Sequence, residues 1–253
     1  MGQNNSEKFN QLLEKAKTDN NVVGLFLTGS RGKGFENEYS DYDIKIIIRD
    51  DAEDVEFKDN KKFKSEDMDL TVMSLANLRK YAEWNSAFAW DRYSFARVKA
   101  LMDKTDEIQK IIDEKGIILE KDRSDFITSS LDAYINQVYR SVKCLRNNNE
   151  VGARLEAAAS IPSLLDLVFA IHGRVRPFFG YLEKELGSVH LEKLPWKSDE
   201  FINKILLIQS SADLSTQQEV LKTIKALLCK EGYDKVFDDW NGKDKWAMEY
   251  RPQ

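Results

Sequence analysis

Two aspartates, Asp41 and Asp43, stand two residues apart at the start of an apolar run that ends at Ile48. Alternate residues of a strand point to the same side, so both carboxylates should project together. Two carboxylates held this close repel each other unless a cation lies between them. The spacing therefore predicts a divalent metal site at the beginning of this strand.

A glycine-containing turn precedes the aspartates and follows a first apolar run at residues 22–28. Gly29 leaves backbone N–H groups open to an anion, and a helix beginning near Ser30 would add its dipole. We expect Gly29 and Ser30 to hold the β- and γ-phosphates of a nucleotide. Arg31 would add positive charge to the triphosphate or pair with the acidic stretch at residues 50–64.

Nucleotidyl transfer assisted by two divalent ions needs a third carboxylate beside the first two. Asp69 leads the third apolar run and is the candidate, with Asp67 on the same strand face as the fallback. One ion would activate the attacking hydroxyl, and the other would stabilise the departing pyrophosphate. The sequence thus predicts catalytic and metal-binding roles for Asp41, Asp43 and Asp69.

The elements that must position these residues alternate between strands and helices in the first part of the chain. The two longest apolar runs predict strands buried on both faces, as in a sheet covered by helices. Ser6 and Ser74 precede amphipathic stretches and can cap the helices that follow them. Strands are predicted at residues 22–28, 43–48 and 69–73, and an exposed loop or hairpin at 50–64. Helices are predicted at 6–16 and 75–82, and residues 30–38 should begin as a short helix.

From about residue 88 apolar residues recur every three or four positions, which predicts helices with almost no strand. Gly173 and Gly187 stand where helix C-caps are expected, and Pro162 marks a join between helices. We place a domain boundary in the charged stretch near residue 120. Helices are predicted at residues 88–115, 124–148, 150–172, 177–187, 199–209 and 215–231, followed by an irregular tail in which Trp240, Trp246 and Tyr250 serve as packing anchors.

The bulk composition is that of an ordinary soluble protein: 253 residues, 42% hydrophobic and 32% charged. The chain has no uninterrupted apolar run of eighteen residues and no secretory signal at its polar N-terminus, so we expect a cytoplasmic protein with no membrane partner. Cys144 and Cys229 are predicted to be reduced core thiols. The charge of −5 lies in residues 1–120, with 19 Lys and Arg against 24 Asp and Glu, and no basic stripe predicts a nucleic-acid partner.

Gly29-Ser30, Asp41-Tyr42-Asp43 and Asp69 together resemble the signature of the nucleotidyltransferase superfamily typified by DNA polymerase beta. Within it, the architecture resembles the adenylyltransferases that modify aminoglycoside and lincosamide antibiotics, and residues 154–177 resemble their helical segment. The resemblance implies an α/β (α+β) nucleotidyltransferase domain with a small mixed sheet over residues 1–120. An all-helical C-terminal bundle domain would follow over residues 121–253.

The resemblance also implies a chemistry. It implies Mg²⁺, as two ions, and ATP or another nucleoside triphosphate as co-substrate. A nucleoside monophosphate, AMP if ATP is used, would pass to a hydroxyl of a small-molecule acceptor, so that antibiotic resistance is an expected role. Some members use a further carboxylate to deprotonate the acceptor; Asp91 and Glu83 are candidates here, or serve in structural salt bridges.

Two other functions are compatible with the same signature. Minimal members of the protein-AMPylating or antitoxin type carry little beyond the catalytic domain, whereas about 130 residues follow position 120 here. A non-catalytic nucleotide sensor would have no need of all three aspartates. His172, at the end of an apolar helix, is interpreted as a structural residue whose protonated imidazole would complement the helix dipole.

Overall fold

The structure is a computed structural model that describes residues 2–52, 62–65, 67–84 and 86–252. The chain divides into two compact units, Met1–Ile118 and Leu119–Gln253. The division into a catalytic domain over residues 1–120 and a helical domain over residues 121–253 remains a proposal. In the described part of the chain, no helix is both long enough and apolar enough to span a membrane.

A mixed sheet forms the centre of the first unit. Its strands, over the residues described, are β1 Val22–Leu27, β2 Tyr42–Ile48, β3 Lys62–Lys64, β4 Met68–Ser74 and β5 Ala100–Asp103. They lie in the order β3-β4-β2-β1-β5. β2 and β4 run parallel, while the other neighbouring pairs are antiparallel. The three strands predicted from the apolar runs are confirmed as β1, β2 and β4.

Helices cover both faces of this sheet. On one face α1, Gly2–Thr18, packs Phe9 and Ala16 against the side of β2 that carries Ile44 and Ile46. The other face packs against α3, Leu75–Lys80, and α4, Ile108–Lys115. Alternate residues of β2 are only half-buried near its start, so the prediction of burial on both faces is wrong at that end. This opening exposes the edge at which the aspartates lie.

The prediction of a helix at residues 88–115 is wrong. A 3₁₀ helix at Ala89–Phe95 is followed by β5, and only α4 is α-helical. β5 pairs with the edge of β1, whose backbone donors and acceptors need a partner that helical periodicity does not reveal. The short helix predicted at the start of residues 30–38 is confirmed as α2, Gly29–Lys33, which ends at Gly34 in the left-handed conformation. Of the loop or hairpin predicted at 50–64, residues 53–61 lie outside the described residues, and 62–64 form β3.

The second unit is helical, as predicted. Pro162 lies inside α6, Glu150–Ala170, rather than at a join, and Gly187 lies inside α7, Leu182–Ser188, rather than at its C-cap. The apolar surface that α6 buries outweighs the one backbone hydrogen bond that proline removes. The helices are α5 Glu120–Arg146, α6 Glu150–Ala170, α7 Leu182–Ser188, α8 Ser198–Ser211, α9 Leu214–Lys230, α10 Asp234–Asp238 and α11 Lys243–Glu249, with a 3₁₀ turn at Phe179–Tyr181.

The tail is therefore helical where an irregular chain was predicted. Its aromatic residues nonetheless act as packing anchors: the ring centroid of Tyr139 lies 5.9 Å from that of Trp240 and 5.6 Å from that of Trp246. Both cysteines are free thiols, as predicted. Cys229 is exposed, however, so its placement in the core is wrong.

Candidate active site

Gly29 and Asp43 are in direct contact. Gly29 has a φ of +60°, in the left-handed region that side chains rarely adopt. A Cβ built on Gly29 would lie 1.9 Å from Oδ2 of Asp43, so the carboxylate fills the space that any other residue would need. The backbone N–H of Thr28 donates to the carbonyl of Asp43 at 2.9 Å. The turn after β1 is therefore held directly against the start of β2.

Asp43 and Asp69 lie opposite each other on neighbouring parallel strands, as register partners of β2 and β4. Adjacent strands are about 4.8 Å apart, so the two residues are neighbours on the half-buried side of the sheet. Two residues further along each strand, the ammonium of Lys45 donates to the hydroxyl of Thr71 at 3.3 Å. A positive charge thus lies on the same sheet face as the two aspartates.

Asp41 lies just before β2 and is half-buried. Within the described ranges, no three His, Cys, Asp or Glu side chains are gathered as a metal site. The structure brings Asp43 and Asp69 together beside Gly29, while the third carboxylate predicted from Asp41 stays a prediction. The fallback residue Asp67 is exposed, and its carbonyl accepts a bond from the N–H of Tyr42 at 3.0 Å.

The donor set nevertheless fits a divalent cation. Carboxylate oxygens are the ligands that Mg²⁺ and similar hard ions prefer. Asp43 and Asp69 supply two of them from adjacent rigid strands, and Gly29 keeps their edge free of a side chain. One further carboxylate from Asp41 would complete the predicted set.

Ser30 and Arg31 both contact the segment that leads into β2. The hydroxyl of Ser30 donates to Oγ of Ser40 at 2.9 Å. The guanidinium of Arg31 donates to the carbonyls of Ser40 and Asp41 and stacks over the ring of Tyr42. Sequence reasoning missed Ser40, because no local pattern distinguishes it from other serines in loops.

The two candidates for an additional base differ in burial. Asp91 is buried, and its two carboxylate oxygens accept bonds from the hydroxyls of Tyr81, at 2.7 Å, and Ser94. Burial and the hydrogen bond to Asp91 raise the pKa of the Tyr81 phenol. Glu83 is exposed. These contacts favour a structural role for Asp91 over that of a base.

Residues 9–118 match the family model described as the nucleotidyltransferase domain. These residues are a nucleotidyltransferase domain. The matched segment of the nucleotidyltransferase domain includes Gly29, Ser30 and the three predicted aspartates. Among solved structures, the chain is similar to a nucleotidyltransferase-like protein from Exiguobacterium sibiricum 255-15, at 11% identity and a TM-score of 0.42, covering 93% of this chain and 75% of that one. No curated protein sequence matches the chain.

The nucleotidyltransferase domain supports nucleotidyl transfer as the general chemistry of the chain. A nucleoside triphosphate is the substrate that such a domain implies, and the family typically uses a divalent metal. The contact between Gly29 and Asp43 lies inside this domain, as does the pairing of β2 with β4.

Proposed function

We propose that the chain is a Mg²⁺-dependent adenylyltransferase that moves AMP from ATP to a hydroxyl of a small polyhydroxylated acceptor, such as an aminoglycoside or a lincosamide. The observation that carries the proposal is the seating of the Asp43 carboxylate against Gly29, with Asp69 as its strand neighbour. This arrangement supports a cation site beside the turn where a phosphate would bind. The family match supplies the class of reaction.

Each residue of the site has a role in this proposal. The carboxylates of Asp43, Asp69 and Asp41 would together hold two divalent ions. When bound, such ions lower the pKa of the attacking hydroxyl and stabilise the charge on the departing pyrophosphate. Gly29 would donate its backbone N–H to phosphate oxygens, and Ser30 would offer its hydroxyl.

The acceptor is proposed to be small because of the second unit. The helical residues after Ile118 lie outside the matched domain and amount to about half of the chain. A protein-modifying or antitoxin-type member would need little beyond the catalytic domain. The helical unit therefore favours a chain that carries its own acceptor-binding part, built from scattered side chains.

The test is pyrophosphate release by the full chain. The protein would be incubated with Mg²⁺, each of the four nucleoside triphosphates in turn, and a panel of aminoglycosides and lincosamides, with Asp43→Asn as the inactive control. Release that needs an acceptor and is lost in the variant supports the proposal, and mass spectrometry of the product would identify the nucleotide attached. Label transferred from ATP to proteins of a lysate, with no small molecule modified, would favour the protein-AMPylating alternative.

Total absence of pyrophosphate release with every nucleotide and acceptor would count against the enzyme. In that case, nucleotide binding that survives Asp41→Asn would favour the sensor on the same fold. Nucleotide binding that depends on divalent metal and is lost in Asp43→Asn would support the proposed site. It would indicate that the panel lacks the true acceptor.

A further inference from the structure

Arg31 contacts the segment that leads into the strand of the aspartates through Nε and one Nη of its guanidinium. Its Nε donates to the carbonyls of Asp41 at 3.0 Å and Ser40 at 3.2 Å, and an Nη donates to that of Ser40 at 2.8 Å. The guanidinium carbon lies 4.1 Å from the centroid of the Tyr42 ring. Arg31 therefore contacts three consecutive residues, two by hydrogen bonds and one by stacking.

The stack continues into the core. The Tyr42 ring is itself stacked on Phe9 of α1, with centroids 4.8 Å apart and planes inclined by 23°. Both aromatic residues are buried. The guanidinium of Arg31 is thus held between a rigid aromatic pair and two backbone carbonyls, and its direction is set by the fold.

This geometry differs from that of an arginine that binds a triphosphate. Such an arginine presents its planar fork of N–H groups to the phosphate oxygens. In this structure the two Arg31 nitrogens that make hydrogen bonds, Nε and one Nη, donate to main-chain oxygens. The bonds reach the carbonyl of Asp41, the residue whose carboxylate has to join Asp43 and Asp69.

We propose that Arg31 is a positioning residue for the metal site: it fixes the main chain of Ser40 and Asp41 just before β2, so that the Asp41 carboxylate can join that of Asp43 at the cation. The inference rests on the proposed function, since it assumes a divalent-metal site at these aspartates. It replaces the role predicted for Arg31 as a ligand of the triphosphate. Lysine cannot substitute, because a single ammonium lacks the planar fork and the flat stacking surface.

The experiment measures metal and nucleotide binding separately on the full chain. Mn²⁺ binding would be followed by electron paramagnetic resonance, and ATP binding would be measured by calorimetry with all divalent metal chelated. For Arg31→Lys we expect Mn²⁺ affinity to fall by about 10–100-fold, as for other partners that orient metal ligands. Metal-free ATP affinity should stay within about twofold of the unchanged chain. Tyr42→Leu, which removes the stacking surface, should weaken Mn²⁺ binding in the same direction.

The matched control is Arg49→Lys, because Arg49 is an exposed arginine of the same unit that pairs with Asp51. It should alter neither affinity. Unchanged Mn²⁺ affinity in Arg31→Lys, or a loss of metal-free ATP affinity with Mn²⁺ binding intact, would overturn the inference. Absence of Mn²⁺ binding by the unsubstituted chain would also overturn the inference. A chain that binds Mn²⁺ but transfers no nucleotide would contradict the proposed reaction alone, and the Arg31 comparison would still be decisive.

Discussion

The carboxylate of Asp43 occupies the space into which a Cβ at Gly29 would project. One oxygen lies 1.9 Å from that position, closer than any real side chain could tolerate. The absence of a side chain at Gly29 is thus a condition for the placement of Asp43, as well as for the turn itself. The proposed phosphate-binding and metal-binding residues are therefore coupled through one contact.

Gly29→Ala should disrupt the site more than it destabilises the fold. Strain in the left-handed conformation should cost about 1–2 kcal/mol, and displacement of Asp43 should reduce Mn²⁺ affinity by about tenfold or more. Gly34→Ala is the matched control, since Gly34 has a φ of +70° but a Cβ there would meet nothing within 4 Å. Denaturant unfolding and Mn²⁺ binding would be measured on both. Equal loss of metal affinity in the two variants would contradict the coupling.

Asp43→Asn and Asp69→Asn should each abolish measurable nucleotidyl transfer. Loss of one ligand removes several kcal/mol of charge stabilisation, which corresponds to at least about a hundredfold in rate. Asp67→Asn serves as the control on the same segment and should change the rate by less than about twofold. Initial rates of pyrophosphate release test all three. If Asp67→Asn is inactive while Asp69→Asn is active, the fallback assignment of the third carboxylate is the correct one.

Lys33→Met should destabilise the first unit. Lys33 is buried, and its ammonium donates to the carbonyls of Tyr93 and Ala96, each at 2.8 Å. Methionine fills a similar volume but leaves these carbonyls without their donor, at a cost of about 1–3 kcal/mol in the free energy of unfolding. Lys80→Met, at an exposed position on α3, should change it by less than about 0.5 kcal/mol. Urea denaturation would measure both, and equal effects would contradict the anchoring role of Lys33.

His172 should make the second unit less stable in acid. Its Nδ1 lies 2.7 Å from the carbonyl of Val168, and its Nε2 accepts a hydrogen bond from the N–H of Lys193 at 3.1 Å. Because the accepting Nε2 carries no proton, the ring is neutral, and the prediction of a protonated imidazole is wrong. Burial, above all, lowers the pKa of His172; the charges of Lys193 and Arg174 add to this, whereas the bond to Val168 and the charge of Glu192 oppose it. Because the folded pKa lies below the unfolded value near 6.5, stability is complete above that value and falls as the pH decreases through the folded pKa.

Urea denaturation at pH 7.5 and at pH 5.5 would measure this loss. In His172→Gln the part of the decrease due to His172 should disappear, because glutamine does not titrate. His190→Gln, which changes an exposed histidine of the same unit, should retain the whole decrease. An identical pH response in the two variants would show that His172 does not contribute.

Local spacing accounts for most of what could be predicted about the site. The alternation of Asp41 and Asp43 at the head of an apolar run predicts both the strand and the side on which the carboxylates project. The apolar run of β1 and the glycine that follows it predict a turn, because only glycine adopts its backbone conformation without strain. The strand and the turn are confirmed, because strand periodicity and glycine stereochemistry act within a few residues. That the carboxylates of Asp41 and Asp43 project to the same side stays a prediction.

Contacts between distant segments account for what could not be predicted. β5 has the apolar spacing of a helix but pairs with β1, because the edge of β1 supplies hydrogen-bonding partners from 70 or more residues away. Pro162 continues α6, because burial against other helices outweighs its local penalty. Asp91, a candidate base, accepts bonds from the hydroxyls of Tyr81 and Ser94, which no spacing rule would have joined to it.

The sequence by itself determined the class of domain and the identity of its acidic residues, since a nucleotidyltransferase signature is a short pattern of residue types along the chain. Only the tertiary structure decided that Asp43 rests on Gly29, that Asp69 lies opposite Asp43, and that Arg31 binds the main chain before β2. The physical reason is range: periodicity and backbone preference act over a few residues, whereas strand register and side-chain contacts depend on segments that meet only in the folded chain.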